Sequence, residues 1–285
     1  QSSAQATVLT AELENPFGYG RILRQGPEVV GIVEEKDATD EQRSIREINS
    51  GMYAFAASAL IETIDSLGTN NSQGEEYLTD VISLINNKGE PVVGVLAADS
   101  NDILGINDRA QLAHAGAIMR DRINHRWMQS GVTIMDPEST WLDVDVELAP
   151  DVTLLPQTIL RGPTSIETGA QVGPGTTLIS CEVGESAVVR HTWAELAVIG
   201  SHAAVGPFTY LRPGTVLGAG AKAGAYVEIK NSRIGDGSKV PHLSYVGDAE
   251  IGEGTNIGAA TVVVNYDGVA KHRTVVGDHV RIGSD

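Results

Sequence analysis

The stretch IGSHAAVGPFTYLRPGTVLGAGAKAGAYVEI, residues 199–229, places an aliphatic residue at every sixth position. The pattern extends on both sides of this stretch, with occasional five-residue steps. Its members are Leu148, Leu154, Leu160, Ile166, Val172, Leu178, Val183, Val189, Ile199, Val205, Leu211, Leu217, Ala223, Ile229, Ile234, Val240, Val246, Ile251, Ile257, Val263, Val276 and Ile282. Such a period predicts a hexapeptide β-helix, in which each coil has three short strands and stacked coils bury the aliphatic columns.

Glycine often follows the repeated aliphatic residue, as at Gly184, Gly200 and Gly218. We expect these glycines to supply the positive φ that tight corners require. β-Helices with this period are usually left-handed, although most parallel crossovers are right-handed. We therefore predict a left-handed parallel β-helix over residues 131–285.

The first half of the chain lacks the repeat and has an α/β pattern instead. A length of 285 residues also favours two domains. Predicted strands span residues 6–10, 29–34, 51–55 and 92–96, and helical stretches span 57–67 and 77–86. A further helix is predicted to begin near Asn107 or Asp108 and to run to Gln129, which connects the two halves. Asn107 could serve simply as the N-cap of that helix.

The formal net charge of −17 argues against general binding of nucleic acids or anionic membranes. Residues 212–273 are different, because seven Lys and Arg side chains there face six acidic ones. This segment indicates either a small anionic ligand or an ordinary solvated surface of mixed charge.

The remaining composition excludes several classes of protein. No apolar run approaches the roughly 20 residues of a membrane-spanning helix, and residues 1–10 have no signal-peptide pattern. One cysteine, Cys181, excludes a disulfide framework and a Cys-based zinc site, and it favours the cytoplasm. The chain has no initiator Met and opens in a predicted strand, so we expect a segment truncated at both ends.

Several strings outside the repeat occur in a characteristic order and spacing. They are GYGR (18–21), VEEKDA (33–38), EINSG (47–51), YLTD (77–80), GINDR (105–109), GPFTYLRPG (206–214), PHLSYVGD (241–248) and NYDG (265–268). Together they closely resemble the bifunctional N-acetylglucosamine-1-phosphate uridyltransferase and glucosamine-1-phosphate acetyltransferase, in its actinobacterial form. The resemblance covers essentially the whole chain.

The resemblance implies a homotrimeric cytoplasmic enzyme of cell-wall precursor synthesis. It acetylates glucosamine 1-phosphate with acetyl-CoA, and then joins the product to UTP to give UDP-N-acetylglucosamine. Residues 1–107 would be the C-terminal part of a Rossmann-like uridyltransferase domain, 108–130 a linker helix and 131–285 the β-helical acetyltransferase domain.

For acetyl transfer, the resemblance implies that His242 is the catalytic base, a role that suits an imidazole at neutral pH. Backbone N–H groups near Gly258 and Ala259 would stabilise the oxyanion. The implied ligands of the phosphorylated sugar are Arg212, Lys230, Tyr245, Asn256, Asn265 and Lys271. The implied contacts to acetyl-CoA are Ala259, Asn265, Tyr266 and Ser284.

For uridyl transfer, the resemblance assigns the N-acetylglucosamine portion to Gly20, Glu34, Asn49 and Asn107, with Asn107 also a ligand of Mg²⁺. One neutral amide oxygen is not an adequate Mg²⁺ site by itself. The family's Gly-rich phosphate loop and its metal-binding Asp precede the equivalent of Gln1. We therefore do not expect this chain alone to transfer uridyl groups.

Three other functions fit part of the pattern. One is a nucleotidyltransferase whose β-helix is only regulatory. His242 argues against it, together with Arg212, Lys230 and the NYDG loop at 265–268. Another is a hexapeptide carbonic anhydrase, but His191, His202 and His242 lack convincing ligand spacing. The third is a trimeric scaffold without catalysis, which the spacing of residues does not exclude.

Overall fold

The computed structural model describes residues 4–284 and divides into two compact units between Ala115 and Gly116. The first unit is an α/β domain and the second is a parallel β-helix, as the sequence predicts. Within this described part, no helix is both long enough and apolar enough to cross a membrane.

The first unit contains a mixed five-stranded sheet in the order β3-β2-β4-β1-β5. β1 and β5 are parallel, and the other neighbours are antiparallel. The strands are β1 (Ala6–Glu12), β2 (Arg21–Gln25), β3 (Glu28–Val33), β4 (Glu47–Phe55) and β5 (Val92–Leu96). Four of these strands were predicted, whereas β2 was missed because its sequence RILRQ is mostly polar.

The helices of this unit lie between and after the later strands, and two of them, Ala57–Ile64 and Asp80–Asn87, contribute buried side chains to the core. They are α1 (Asp40–Arg43), α2 (Ala57–Ile64), α3 (Asp80–Asn87), a 3-10 turn (Ser100–Ile103) and α4 (Arg109–Gln129). α3 places Val81, Ile82 and Ile85 in the core of this unit.

The predicted connecting helix is α4. Asn107 is a candidate for its N-cap, but the structure gives this role to the next residue. The carboxylate of Asp108 accepts the Gln111 backbone N–H at 2.7 Å, so Asp108 is the N-cap. The Gln111 side chain in turn accepts the backbone N–H of Asn107 at 2.6 Å. The side chain of Asn107 is exposed and is not needed to cap the helix.

The second unit is a three-sided parallel β-helix, consistent with the predicted left-handed coil. Face A contains Thr133–Ile134, Thr153–Leu154, Gln171–Val172, Val188–Val189, Ala204–Val205, Lys222–Ala225, Lys239–His242, Asn256–Ile257 and Arg281–Ile282. Face B contains Trp141–Leu142, Thr158–Arg161, Thr176–Ile179, Thr192–Glu195, Thr209–Leu211, Glu228–Lys230 and Tyr245–Gly247. Face C contains Glu147–Leu148, Ser165–Ile166, Glu182–Val183, Val198–Ile199, Val216–Leu217, Arg233–Ile234, Ala249–Ile251 and Thr274–Val276.

The aliphatic residues of the repeat form the core of this β-helix. All of them from Leu148 to Ile257 are buried, and Val263, Val276 and Ile282 are packed against the same core. Corresponding residues lie in register on successive coils, for example Leu211 beside Ile229. The period of the sequence therefore predicts which side chains point inward.

The role predicted for the repeated glycines is wrong at most positions. Gly184, Gly200 and Gly218 do not have positive φ. A Cβ atom on Gly200 would lie 2.6 Å from the backbone carbon of Gly218 on the next coil, which is closer than any real contact. These glycines are therefore required by the close approach of stacked coils. Positive φ occurs two residues later, and non-glycine residues such as Ser186 and His202 adopt it there.

The coil interrupted by residues 264–273 leaves the β-helix as a loop, as predicted from the excess of residues between Val263 and Val276. Within the loop, Tyr266 and Lys271 form an isolated antiparallel bridge. The chain re-enters face C when Thr274 donates its backbone N–H to the Asp248 carbonyl at 3.2 Å.

Candidate functional site

Four of the residues proposed for the sugar of acetyl transfer lie on the outer side of face B, beside the corner with face C. They are Arg212, Lys230, Tyr245 and Asn265. Arg212 and Lys230 follow the buried residues Leu211 and Ile229 on consecutive coils, so their side chains project from equivalent positions. The Arg212 guanidinium donates to the Glu228 carboxylate at 2.8 Å and lies 6.0 Å from the Tyr210 ring centroid. The Glu228 hydrogen bond raises the pKa of Arg212, which stays fully charged.

The ends of the Tyr245 and Asn265 side chains both lie close to Gly247. Gly247 is on the coil that follows the coil of Lys230. A Cβ atom on Gly247 would collide with the Tyr245 hydroxyl and would fall 2.8 Å from the Asn265 amide nitrogen. Glycine therefore lets both side chains take these positions, and Lys230 lies in register with it. Sequence reasoning did not single out Gly247 as part of the site, because glycine is common at that position of the repeat.

Asp248 is a second residue that the sequence reasoning missed. Its carboxylate accepts a hydrogen bond from the Asn265 amide and lies 3.5 Å from the Lys230 ammonium. It also accepts the Asn231 amide at 2.7 Å. Asp248, Lys271 and Arg273 help to line a cavity of about 420 Å³ on this side of the molecule.

His242 ends a strand of face A and is exposed at the corner with face B. It lies in register with Ala225 on the preceding coil. Within residues 4–284, no hydrogen-bond or ion-pair partner engages its imidazole. Its ring is therefore accessible, as a residue that contacts a substrate must be.

Asn256 lies on a different face from the cluster around Lys230. It occupies face A, with Lys239 on one neighbouring strand and Arg281 on the other. These three residues line a groove of about 400 Å³. The chain by itself therefore does not bring Asn256 to the outer side of face B, where Tyr245 lies.

The residues proposed for acetyl-CoA lie towards the last coils. Ala259 is half-buried, and Tyr266 and Ser284 are exposed. The Ser284 backbone stacks above Gly258, since a Cβ atom on Gly258 would fall 2.6 Å from the Ser284 nitrogen. Tyr266 and Asn265 belong to the loop of residues 264–273. This loop therefore carries residues proposed to contact the phosphorylated sugar and residues proposed to contact acetyl-CoA.

In the first unit, Gly20, Glu34 and Asn49 come together. Gly20 leaves space for Glu34, because a Cβ atom there would lie 3.3 Å from both carboxylate oxygens. The Asn49 backbone N–H donates to the Gly20 carbonyl at 2.8 Å. Thr79, a buried residue that the sequence reasoning did not assign, donates its hydroxyl to Glu34 at 3.2 Å.

An ion pair between buried Arg21 and half-buried Glu35 holds residues 18–20, the segment that contains Gly20. Arg21 is only 2% exposed, and it donates to Glu35 at 2.6 Å and to the Tyr19 carbonyl. Glu35 also accepts the Gly18 N–H at 3.2 Å. Desolvation raises the pKa of Glu35, but the hydrogen bonds from Arg21 and Gly18 outweigh it and the pKa is lowered. The segment is thus tied to the end of β3, where Glu34 lies.

The described residues do not provide a metal site. Asn107 is exposed and offers one neutral oxygen, and residues 4–284 contain no cluster of three or more His, Cys, Asp or Glu side chains suited to a metal ion. The residues present therefore do not fit Mg²⁺ by themselves. For the same reason, His191, His202 and His242 form no metal triad within the described part of one chain.

No family profile matches this chain. Curated relatives named bifunctional protein GlmU are 59% identical over 279 residues in Kineococcus radiotolerans and 55% identical over 283 residues in Corynebacterium jeikeium. The relative of that name from Desulfitobacterium hafniense is 50% identical over 285 residues. These alignments cover 98%, 99% and 100% of this chain, but 57%, 58% and 63% of the relatives. The chain thus spans about three fifths of their length.

Proposed function

Because the chain belongs to the family of bifunctional proteins named GlmU, we propose that it is part of an enzyme that makes UDP-N-acetylglucosamine in two reactions. The first reaction transfers acetyl from acetyl-CoA to the amine of glucosamine 1-phosphate. The second joins the product to UTP and releases pyrophosphate, and its sugar nucleotide supplies cell-wall synthesis.

The observation that carries the acetyltransferase assignment is the convergence of Lys230, Tyr245 and Asn265 at one end of face B. A phosphate needs cations, and Arg212 and Lys230 supply two of them from consecutive coils. Tyr245 and Asn265 offer a hydroxyl and an amide that can hydrogen-bond sugar hydroxyls. Lys271, in the loop, would add a further cation.

We assign proton transfer to His242. As the amine nitrogen attacks the thioester carbonyl, the imidazole accepts the proton that the amine loses. The carbon–sulfur bond then breaks and CoA leaves as its thiolate. Backbone N–H groups near Gly258 and Ala259 are the proposed donors to the oxyanion, with Ala259, Asn265, Tyr266 and Ser284 beside the coenzyme.

For uridyl transfer, Gly20, Glu34 and Asn49 are the proposed ligands of the acetylated sugar, together with Asn107. The Thr79 hydroxyl donates a hydrogen bond to Glu34, and the missing side chain of Gly20 leaves room for the carboxylate. The Glu34 carboxylate is therefore already oriented. We assign residues 1–107 to this activity, 108–130 to a linker and 131–285 to acetyl transfer. Mg²⁺ would require ligands beyond those described.

We also propose that the protein is a cytoplasmic homotrimer. An exposed aromatic column supports self-association, because His191, Phe208 and Tyr226 stack with centroids 5.4 and 5.3 Å apart at the corner that also carries His242. A second subunit would also explain why Asn256 lies on face A, away from Tyr245. The cytoplasm is supported by the single, buried and unpaired Cys181.

The base assignment is tested by His242→Ala in the natural full-length protein, with CoA release measured from acetyl-CoA and glucosamine 1-phosphate. Loss of a general base should lower kcat by about 100-fold or more. His125→Ala is the control, because His125 is also an exposed histidine of the second unit. Unchanged turnover in His242→Ala would contradict the assignment, and no CoA release by the wild type would contradict the acetyltransferase function.

A further inference from the structure

Asp248 occupies a corner of the β-helix where the chain turns from face B to face C. Its φ is 51°, a left-handed conformation that Asp and Asn tolerate better than other non-glycine residues. The side chain is 13% exposed. Its backbone N–H donates to the Lys230 carbonyl at 3.0 Å, and its carbonyl accepts Thr274 at 3.2 Å, where the loop of residues 264–273 returns.

The carboxylate of Asp248 joins three side chains. Oδ1 accepts the Asn231 amide at 2.7 Å, while Oδ2 accepts the Asn265 amide and lies 3.5 Å from Lys230 Nζ. The hydrogen bond from Asn231 is the largest cause that lowers the pKa of Asp248, and Asn265 and Lys230 lower it further. The group is therefore an anion at neutral pH.

Two of these partners, Lys230 and Asn265, are proposed sugar ligands that come from different parts of the chain. Lys230 belongs to face B, and Asn265 lies near the start of the loop, so nothing in their local sequence sets their separation. A lysine side chain has four rotatable carbon bonds and loses considerable entropy when it is fixed. Both groups are instead held by a single carboxylate oxygen.

We infer that Asp248 is a positioning residue of the acetyltransferase site, which orients Lys230 and Asn265 towards the phosphorylated sugar. The inference rests on the proposed function. The distance of 3.5 Å to Lys230 is longer than a charge-assisted hydrogen bond, so the ammonium keeps its N–H donors for a phosphate.

The test is Asp248→Asn in the natural full-length protein. Asparagine keeps the size and tolerates the left-handed φ, but it loses the charge and turns an NH₂ group towards one of the donors. KM for glucosamine 1-phosphate should rise about ten-fold, the order expected from losing one charged hydrogen bond, whereas kcat should fall less than about three-fold. Asp236→Asn is the control, because the Asp236 carboxylate accepts the Ala219 backbone N–H at 2.9 Å, whereas Lys230 and Asn265 contact Asp248.

A second measurement separates positioning from a general effect on folding. In a Lys230→Ala background, Asp248→Asn should raise KM by a clearly smaller factor, because one of the groups that Asp248 holds has gone. Hydrogen exchange at residues 264–273 should be faster in Asp248→Asn than in Asp236→Asn, because Asn265 is released.

Three outcomes would overturn the inference. An unchanged KM in Asp248→Asn would show that Lys230 and Asn265 need no anchor. A lower KM would show that the carboxylate competes with the substrate phosphate. Equal KM ratios in the wild-type and Lys230→Ala backgrounds would show that Asp248 does not act through Lys230. Failure of the wild type to release CoA would contradict the proposed function itself, which is distinct from these results.

Discussion

At the scale of single residues, Asp267 organises the tip of the loop of residues 264–273. Its carboxylate accepts the Ala270 and Val269 N–H groups at 2.7 and 2.8 Å and lies 2.7 Å from His272 Nε2. The Ala270 and Val269 hydrogen bonds, followed by that of His272, lower the pKa of Asp267 to about 2. The pKa of Asp267 is lower in the folded loop than in the unfolded chain, where it is about 4. Ionised Asp267 should therefore stabilise the loop at pH values above about 4, and this stabilisation should be lost as the pH falls through about 2.

An NMR titration of the Asp267 carboxyl carbon should therefore have its midpoint near pH 2. Over the same range, the protection factors of the Val269 and Ala270 amides against hydrogen exchange, which correct for the intrinsic pH dependence of the exchange rate, should fall. Asp267→Asn should give low protection factors for these amides at every pH, which serves as the reference. A midpoint near the ordinary aspartate value of about 4 would mean that these hydrogen bonds do not persist in solution.

At the scale of elements, the spacing of neighbouring coils depends on glycine. A methyl group on Gly200 would approach the Gly218 carbon to 2.6 Å and the Leu217 oxygen to 2.7 Å, and both are backbone atoms that cannot rotate away. Gly200→Ala should therefore destabilise the β-helix by about 1–3 kcal/mol, as overpacking usually does. Thermal or denaturant unfolding of this chain measures the change.

Gly277→Ala is the matched control, because Gly277 follows Val276 in the same position of the repeat, but a Cβ atom there would meet no described atom of this chain within 4 Å. It should change the free energy of unfolding by less than about 1 kcal/mol. Equal losses in the two variants would indicate that the glycines matter for backbone freedom and not for the separation of the coils.

At the scale of the whole molecule, the exposed aromatic column predicts contact between copies of the chain. Phe208 and Tyr226 are 55% and 61% exposed and their rings stack, so they form one contiguous apolar surface. Phe208→Asn with Tyr226→Asn removes the rings and keeps a residue that accepts their positive φ. Sedimentation should show a trimer for the wild type and smaller species for the double variant.

Phe17→Asn is the control for that experiment, because Phe17 is 76% exposed and lies in the first unit. Its sedimentation should match that of the wild type. A double variant that remains trimeric would place the subunit interface elsewhere and would remove the main structural support for contact through this corner.

The six-residue period alone determined the β-helix. Each inward position must be apolar wherever coils stack, so every coil shows this requirement in its own short stretch of sequence. It also placed Arg212 and Lys230 at equivalent positions and predicted the departure of the loop. It gave no reliable reason for the glycines, since the close contact of Gly200 with Gly218 joins residues on different coils.

Only the tertiary structure decided which polar groups meet. Asp248 joins Lys230 to Asn265, and Gly247 makes room for Tyr245 and Asn265, through contacts between coils that no local pattern encodes. The fold is determined by a repeated local requirement for burial. The site depends on single long-range contacts, whose partners become neighbours only after the coils have stacked.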